Sequence, residues 1–93
     1  MRTKREVKSI LSECIDYILR DYFKFDMDEI EFKITLDLKE NEELEDSGFF
    51  NLEVKNECNN IIINSKLFYE FPNESLYPDI EDVDDNLRLL FPN

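Results

Sequence analysis

The sequence contains no histidine, alanine, tryptophan or glutamine, and only one glycine, three prolines and two cysteines in 93 residues. Each shortage excludes a class of chemistry. Without histidine, no Ser-His-Asp or Cys-His arrangement can be assembled within the chain. A single glycine cannot build a Gly-rich phosphate-binding loop. Cys14 and Cys58 form no CxxC pair, and small secreted scaffolds usually carry several bridges; two reduced thiols in a cytosolic protein are expected. The basic start MRTKREVK leads into a segment containing Glu13 and Asp16, not the apolar run of a signal peptide. No stretch approaches the roughly 20 apolar residues of a membrane span. The expected location is therefore the cytoplasm.

What is abundant is negative charge. The chain carries 23 acidic and 11 basic side chains, a formal −12, yet 42% of its residues are hydrophobic and 13% aromatic. That apolar content separates it from a disordered acidic tail and suits a single folded domain spanning residues 1–93. The charge is unevenly placed: residues 1–24 hold six basic and four acidic groups, and residues 25–93 hold five basic and 19 acidic ones. Direct binding to nucleic acid or to an anionic membrane is disfavoured, because both carry the same sign. The composition leans on Ile, Asn, Lys, Phe and Tyr, whose codons are AT-rich, which points to an AT-rich bacterial genome or its phage.

Thr3-Lys4-Arg5-Glu6 reads as a capping box, in which Thr3 accepts from the Glu6 amide and Glu6 reaches back to the Thr3 amide. Val7, Ile10, Leu11, Cys14, Ile15, Ile18, Tyr22 and Phe23 then recur at steps of three and four, predicting a helix over roughly 4–23. Ile30, Phe32, Ile34, Leu36 and Leu38 alternate with polar residues and predict a half-buried strand. Residues 39–47 form an acidic connection that Gly48 ends. Phe50, Leu52 and Val54 mark a second strand, the turn Asn56–Asn60 follows, and Ile61–Ile63 opens a third. Leu67, Tyr69 and Phe71 either extend that strand or form a fourth, and Pro72 stops it. Pro78 in a first turn, Asp79, Glu81 and Asp82 at the helix N-terminus, and the stripe Ile80, Val83, Leu87, Leu90 and Phe91 predict a short C-terminal helix. The expected fold is α+β: an N-terminal helix, a three- to four-stranded antiparallel meander and a short C-terminal helix, with one sheet face covered and the other polar and acidic.

Two short patterns invite a catalytic or metal reading. Glu31-Phe32-Lys33 and Glu53-Val54-Lys55 share the E-x-K spacing of a large nuclease superfamily, which on a strand places carboxylate and lysine on one face. The same spacing on an exposed strand is an ordinary charge pair, and a strongly acidic chain repels a nuclease substrate. Asp82-Val83-Asp84-Asp85-Asn86 resembles a calcium loop but lacks its turn glycine and its twelfth-position glutamate. The expectation is a protein that is not an enzyme and uses no metal or cofactor.

A net charge of −12 exceeds the magnitude of about 2–8 usual for a small domain, and its self-repulsion opposes compaction. A rigid acidic surface suits the basic cleft of a nucleic-acid-binding enzyme. Side chains two apart on a strand stand roughly 6.8 Å apart, comparable to successive phosphates. The candidate partner-binding residues are Glu29 and Glu31 on the first strand, Glu40, Glu42, Glu43, Glu45 and Asp46 in the connection, and Asp79, Glu81, Asp82, Asp84 and Asp85 in the tail. Phe49, Tyr69, Tyr77 and Phe91 are the aromatic residues available as anchors, although a chain this small also needs its aromatics to fold.

A capped helix from Thr3 to Phe23, an antiparallel meander and the acidic run Glu40-Asn41-Glu42-Glu43-Leu44-Glu45-Asp46 together resemble the small phage-encoded DNA-mimic inhibitors, which include anti-restriction and anti-CRISPR proteins. The resemblance lies in size, charge and architecture; no motif aligns and no functional residue carries over. It implies a monomer or small homo-oligomer that blocks DNA binding by a host defence nuclease, most naturally a Cas9-type enzyme whose PAM reading relies on arginines. The same electrostatics fit an immunity protein or antitoxin against a basic toxin nuclease, and a third reading is an adaptor subunit of an intracellular complex.

Overall fold

The computed structural model describes residues 2–36, 43–44, 46–58, 60–73 and 75–88. Strand β1 (Arg2–Thr3) runs into helix α1 (Lys4–Tyr17), followed by a π-helical turn over Ile18–Tyr22. Strands β2 (Ile30–Thr35), β3 (Glu43–Leu44), β4 (Ser47–Asn56), β5 (Ile61–Glu70) and β6 (Asp79–Ile80) precede the short helix α2 (Val83–Leu87). The main sheet is antiparallel in the order β2-β4-β5-β6, and β1 pairs with β3 in a separate two-stranded ribbon. This is the α+β arrangement expected.

Helix α1 starts where the capping residues place it. Thr3 is extended (φ −82°, ψ 164°) and its hydroxyl accepts from the Glu6 amide at 3.3 Å. The second half of the capping box differs from expectation: the Glu6 carboxylate accepts from the Thr3 hydroxyl at 3.2 Å, while the Thr3 backbone is committed to the ribbon with β3. Val7, Leu11, Ile15 and Leu19 are wholly buried, so the core stripe runs in steps of four. Leu19 is a core residue the sequence periodicity passed over, and Tyr22, expected on the apolar face, is exposed. The π-turn accounts for both. Its wider ring, closed by the Phe23 amide on the Ile18 carbonyl at 2.9 Å, keeps Leu19 inward and turns Tyr22 out.

The chain leaves the helix through Lys24, whose φ of 60° is the left-handed conformation favoured by glycine at helix ends. Lys24→Gly should raise stability by about 0.5–1 kcal/mol, read as a higher urea midpoint at unchanged slope.

Below the helix, the inward sheet positions Ile30, Ile34, Phe50, Leu52, Val54, Ile63, Leu67 and Tyr69 join α1 in one core. Strands β4 and β5 pair over their full length, from Ser47↔Glu70 to Asn56↔Ile61, so Leu67 and Tyr69 continue the third strand instead of starting another. The fourth strand is β6, formed by residues expected in the C-terminal helix. Gly48 does not end the acidic connection; it lies inside β4, directly opposite Tyr69, where an added Cβ would stand 3.2 Å from the Tyr69 hydroxyl. At the hairpin end, the Asn56 side chain accepts from the Cys58 amide at 3.0 Å and Asn60 takes a left-handed φ of 59°.

Candidate partner-binding site

The outer sheet face is not acidic. The register sets Glu31 opposite Lys55 and Lys33 opposite Glu53, so the two E-x-K patterns interlock as a cross-strand ladder of alternating sign. With Lys66 on β5, and leaving Glu70 to the border with β6, the outward side chains of β2, β4 and β5 number two carboxylates and three lysines. Glu31 is thus a member of a balanced face, contrary to its expected part in an acidic one. The Lys66 ammonium lies 5.0 Å from the centroid of exposed Phe49, which packs edge-on against Phe68.

Unbalanced charge gathers instead along the β6–α2 edge. Between Lys66 and Arg88 the chain has seven acidic residues and no lysine or arginine. Pairing of Tyr69 with Ile80 and Glu70 with Asp79 fixes β6, and the Glu81 amide donates to the Phe68 carbonyl at 3.0 Å. Asp82 sits in a left-handed turn (φ 58°), and its carbonyl accepts from the Asn86 amide at 3.2 Å and from the Asn86 side chain at 2.7 Å. The Ser65 hydroxyl donates to the Asn86 side chain at 2.7 Å and ties α2 to β5. Exposed Glu70, Asp79, Glu81, Asp82 and Asp85 therefore project from a pinned backbone. Among the described residues, none of these five has an ion-pair partner. Asp79, Glu81 and Asp82 lie before α2, not in its first turn; two residues of long-range pairing replace the expected helix start.

The other candidate acids divide. Asp46 faces Arg2 at 3.6 Å, and its carbonyl accepts from the Phe71 amide at 2.7 Å. Arg2 also donates to the Ser75 carbonyl at 2.8 Å and lies 3.9 Å over the Phe71 ring, clasping the N-terminus to the turn that leads into β6. Glu29 belongs to a second acidic pole with Asp26, Asp28 and Glu57, which sequence alone did not group: the Glu57 amide donates to the Glu29 carbonyl at 2.9 Å, and Asp26 accepts from the Asp28 amide at 3.0 Å. The Glu43 backbone pairs with Thr3. Glu40, Glu42, Glu45 and Phe91, and the side chains of Glu43 and Asp84, lie outside the described residues. Among the described residues no three His, Cys, Asp or Glu side chains are grouped to hold a metal ion, and no helix is long and apolar enough to cross a membrane.

Beside the acidic edge runs a groove of about 530 Å³ between the C-terminal half of α1 and the segment leading into β6. Cys14, Ile18 and Ile80 line it half-buried, Tyr17 and Tyr77 stand exposed, and Glu13 and Asp79 bring carboxylates to it. Exposed Leu76 adjoins Tyr77, whose amide donates to the Ser75 hydroxyl at 3.3 Å. Of the aromatic anchors expected, Tyr77 and Phe49 are exposed and Tyr69 is core.

Burial pushes the Cys14 thiol above its ordinary 9.0, with a smaller push from Glu13, and burial also raises the Tyr69 phenol above 10.0. Unfolded, both groups ionise at their ordinary values; folded, they hold their protons longer. Their contribution to stability is therefore complete below pH 9 and is lost as pH rises past 9.0 and then 10.0. Urea midpoints should fall as pH rises above 9.0, with Cys14→Ser removing the lower part of the decline and Tyr69→Phe the upper. A flat profile in the parent chain would contradict the burial of both groups.

No protein-family model, curated protein or solved structure matches this chain.

Proposed function

We propose that this chain is a non-catalytic inhibitor that places its acidic edge in the basic nucleic-acid-binding cleft of another protein. The observation that carries the reading is the segregation of charge: a balanced sheet face, and beside it an edge with five exposed, unpaired carboxylates among the described residues. A fixed backbone under those groups lowers the ordering cost of binding.

Magnitude narrows the form of mimicry. A duplex as long as the molecule's 41 Å axis carries about 24 phosphate charges, whereas the chain's formal charge is −12. Overall charge density is near half that of DNA, so imitation of phosphates is local to the edge. Clustered carboxylates compete naturally for arginines that read base edges and phosphates, which makes a Cas9-type nuclease with its arginine-reading PAM site the first target. A basic toxin nuclease offers the same chemistry to an immunity protein.

The test is displacement of a fluorescent target duplex from a cleavage-inactive, guide-loaded Cas9-type nuclease, run beside a panel of basic toxin nucleases. Displacement that weakens steeply from 0.05 to 0.3 M salt is the expected result. Duplex binding undisturbed across the panel at low salt would sink the reading.

A further inference from the structure

The acidic edge accounts for attraction but not for the apolar groove beside it. Its half-buried lining is hydrophobic, its two tyrosines are more than half exposed (Tyr17 64%, Tyr77 57%), and the charged side chains that line it are Glu13 and Asp79. Asp16, on the same helix, is already engaged by Arg20 at 3.2 Å. The groove therefore offers aromatic rings, an apolar base and two carboxylates, with no resident cation among its lining residues.

Three occupants compete. A small apolar ligand is poorly served, because ligand pockets bury roughly 70–90% of their guest and these tyrosines leave the groove open. A second copy of the chain brings a further −12 of like charge to an acidic rim. A cationic side chain with an apolar stem satisfies every feature. Arginine fits better than lysine: its planar guanidinium stacks on aromatic rings and pairs bidentately with carboxylates, while its methylenes cover the apolar base.

We propose that the groove between α1 and β6 is an arginine-recognition site that seats an exposed arginine of the basic partner between Tyr17 and Tyr77, with Glu13 and Asp79 receiving the guanidinium. It deepens the reading of the chain as a binder of basic proteins, and it rests on that reading only for the source of the arginine. Attraction by the edge is general to any basic surface; the groove adds an aromatic and apolar anchor that makes an interface selective.

The experiment uses the isolated full chain, labelled for NMR, titrated with an acetylated and amidated Ala-Arg repeat hexapeptide and with its Ala-Lys and Ala-citrulline counterparts. The arginine peptide should shift the Tyr17, Ile18, Tyr77 and Ile80 signals. The lysine peptide should bind about fivefold more weakly, and the citrulline peptide more weakly still. Tyr77→Ala and Asp79→Asn should each lower arginine-peptide affinity by about fivefold or more, while Glu81→Gln, outside the groove, stays within about twofold. Equal binding of arginine and lysine peptides, with shifts spread along Glu70 to Asp85, would mean bulk charge alone and overturn the site. Shifts of the groove signals with protein concentration in the absence of peptide would assign it to a second copy. Shifts with cyclohexanol but not with the arginine peptide would assign it to apolar ligands. Duplex displacement with a negative titration removes the groove and leaves the proposed function; a positive titration without displacement does the reverse.

Discussion

Reversing Glu70, Glu81 and Asp85 together to lysine should, on the proposed reading, weaken binding to a basic nuclease partner about 100-fold at 0.1 M salt, chiefly through slower association. All three are exposed, on a stretch from residue 67 to 87 that has no lysine or arginine. None contributes to the core. The fold should tolerate the change: each like-charge pair about 10 Å apart costs about 0.4 kcal/mol in water before screening, so the triple variant should melt no lower than the parent. Location is separated from net charge by a second variant, Glu31→Lys with Glu53→Lys. There each new lysine faces an existing one, Lys55 or Lys33, so stability falls by about 0.5 kcal/mol per site while affinity stays within about fivefold. A third variant reverses Glu40, Glu42, Glu43 and Glu45, the acidic connection. Duplex displacement assays on the three decide which acids touch the target. If the edge variant displaces DNA as well as the parent and the connection variant does not, the contact moves from the edge to the connection.

Local patterns in the sequence announced some of this architecture and hid the rest for definite reasons. Helix α1, β2 and β4 follow from spacing, because one buried face imposes its period on consecutive residues. The π-turn left no such mark: an apolar residue stands at both 18 and 19 and at both 22 and 23, so either phase of the stripe could be drawn. Locally, Pro78 followed by acids suits the first turn of a helix, whereas the deciding interaction for strand β6 is pairing of Ile80 with Tyr69, invisible to any local window. The acidic outer face failed for a related reason. Alternation tells which side a residue faces, but only register tells what stands across from it, and here it set lysines opposite glutamates. The groove could not be read at all, since residues 13–18 and 77–80 meet only after the sheet has formed.

The register also places the largest stability effect at Tyr69. Its ring is 2% exposed, lies over Gly48 of β4, and has centroids of Phe50 and Phe71 at 6.2 and 6.0 Å. Phe71 in turn carries the Arg2 guanidinium, which holds the Ser75 carbonyl and faces Asp46. One ring thus joins the core to the clasp that positions the turn before β6, and through it the acidic edge and the groove. Tyr69→Ala should cost about 3–5 kcal/mol, a large share of the roughly 5–14 kcal/mol open to a domain of this length, and should leave a measurable unfolded fraction in water. Tyr69→Phe, which keeps the ring, should stay within about 1 kcal/mol of the parent. Gly48→Ala adds a Cβ at 3.2 Å from the Tyr69 hydroxyl and 3.4 Å from two ring carbons, so it should destabilise the parent by about 1 kcal/mol. In the Tyr69→Phe background the nearest of those atoms is gone and the penalty should shrink. Urea unfolding of the four proteins of this cycle reads the coupling directly. Additive effects would mean that Gly48 is not required by the tyrosine, and a mild Tyr69→Ala would mean that the clasp does not depend on the ring.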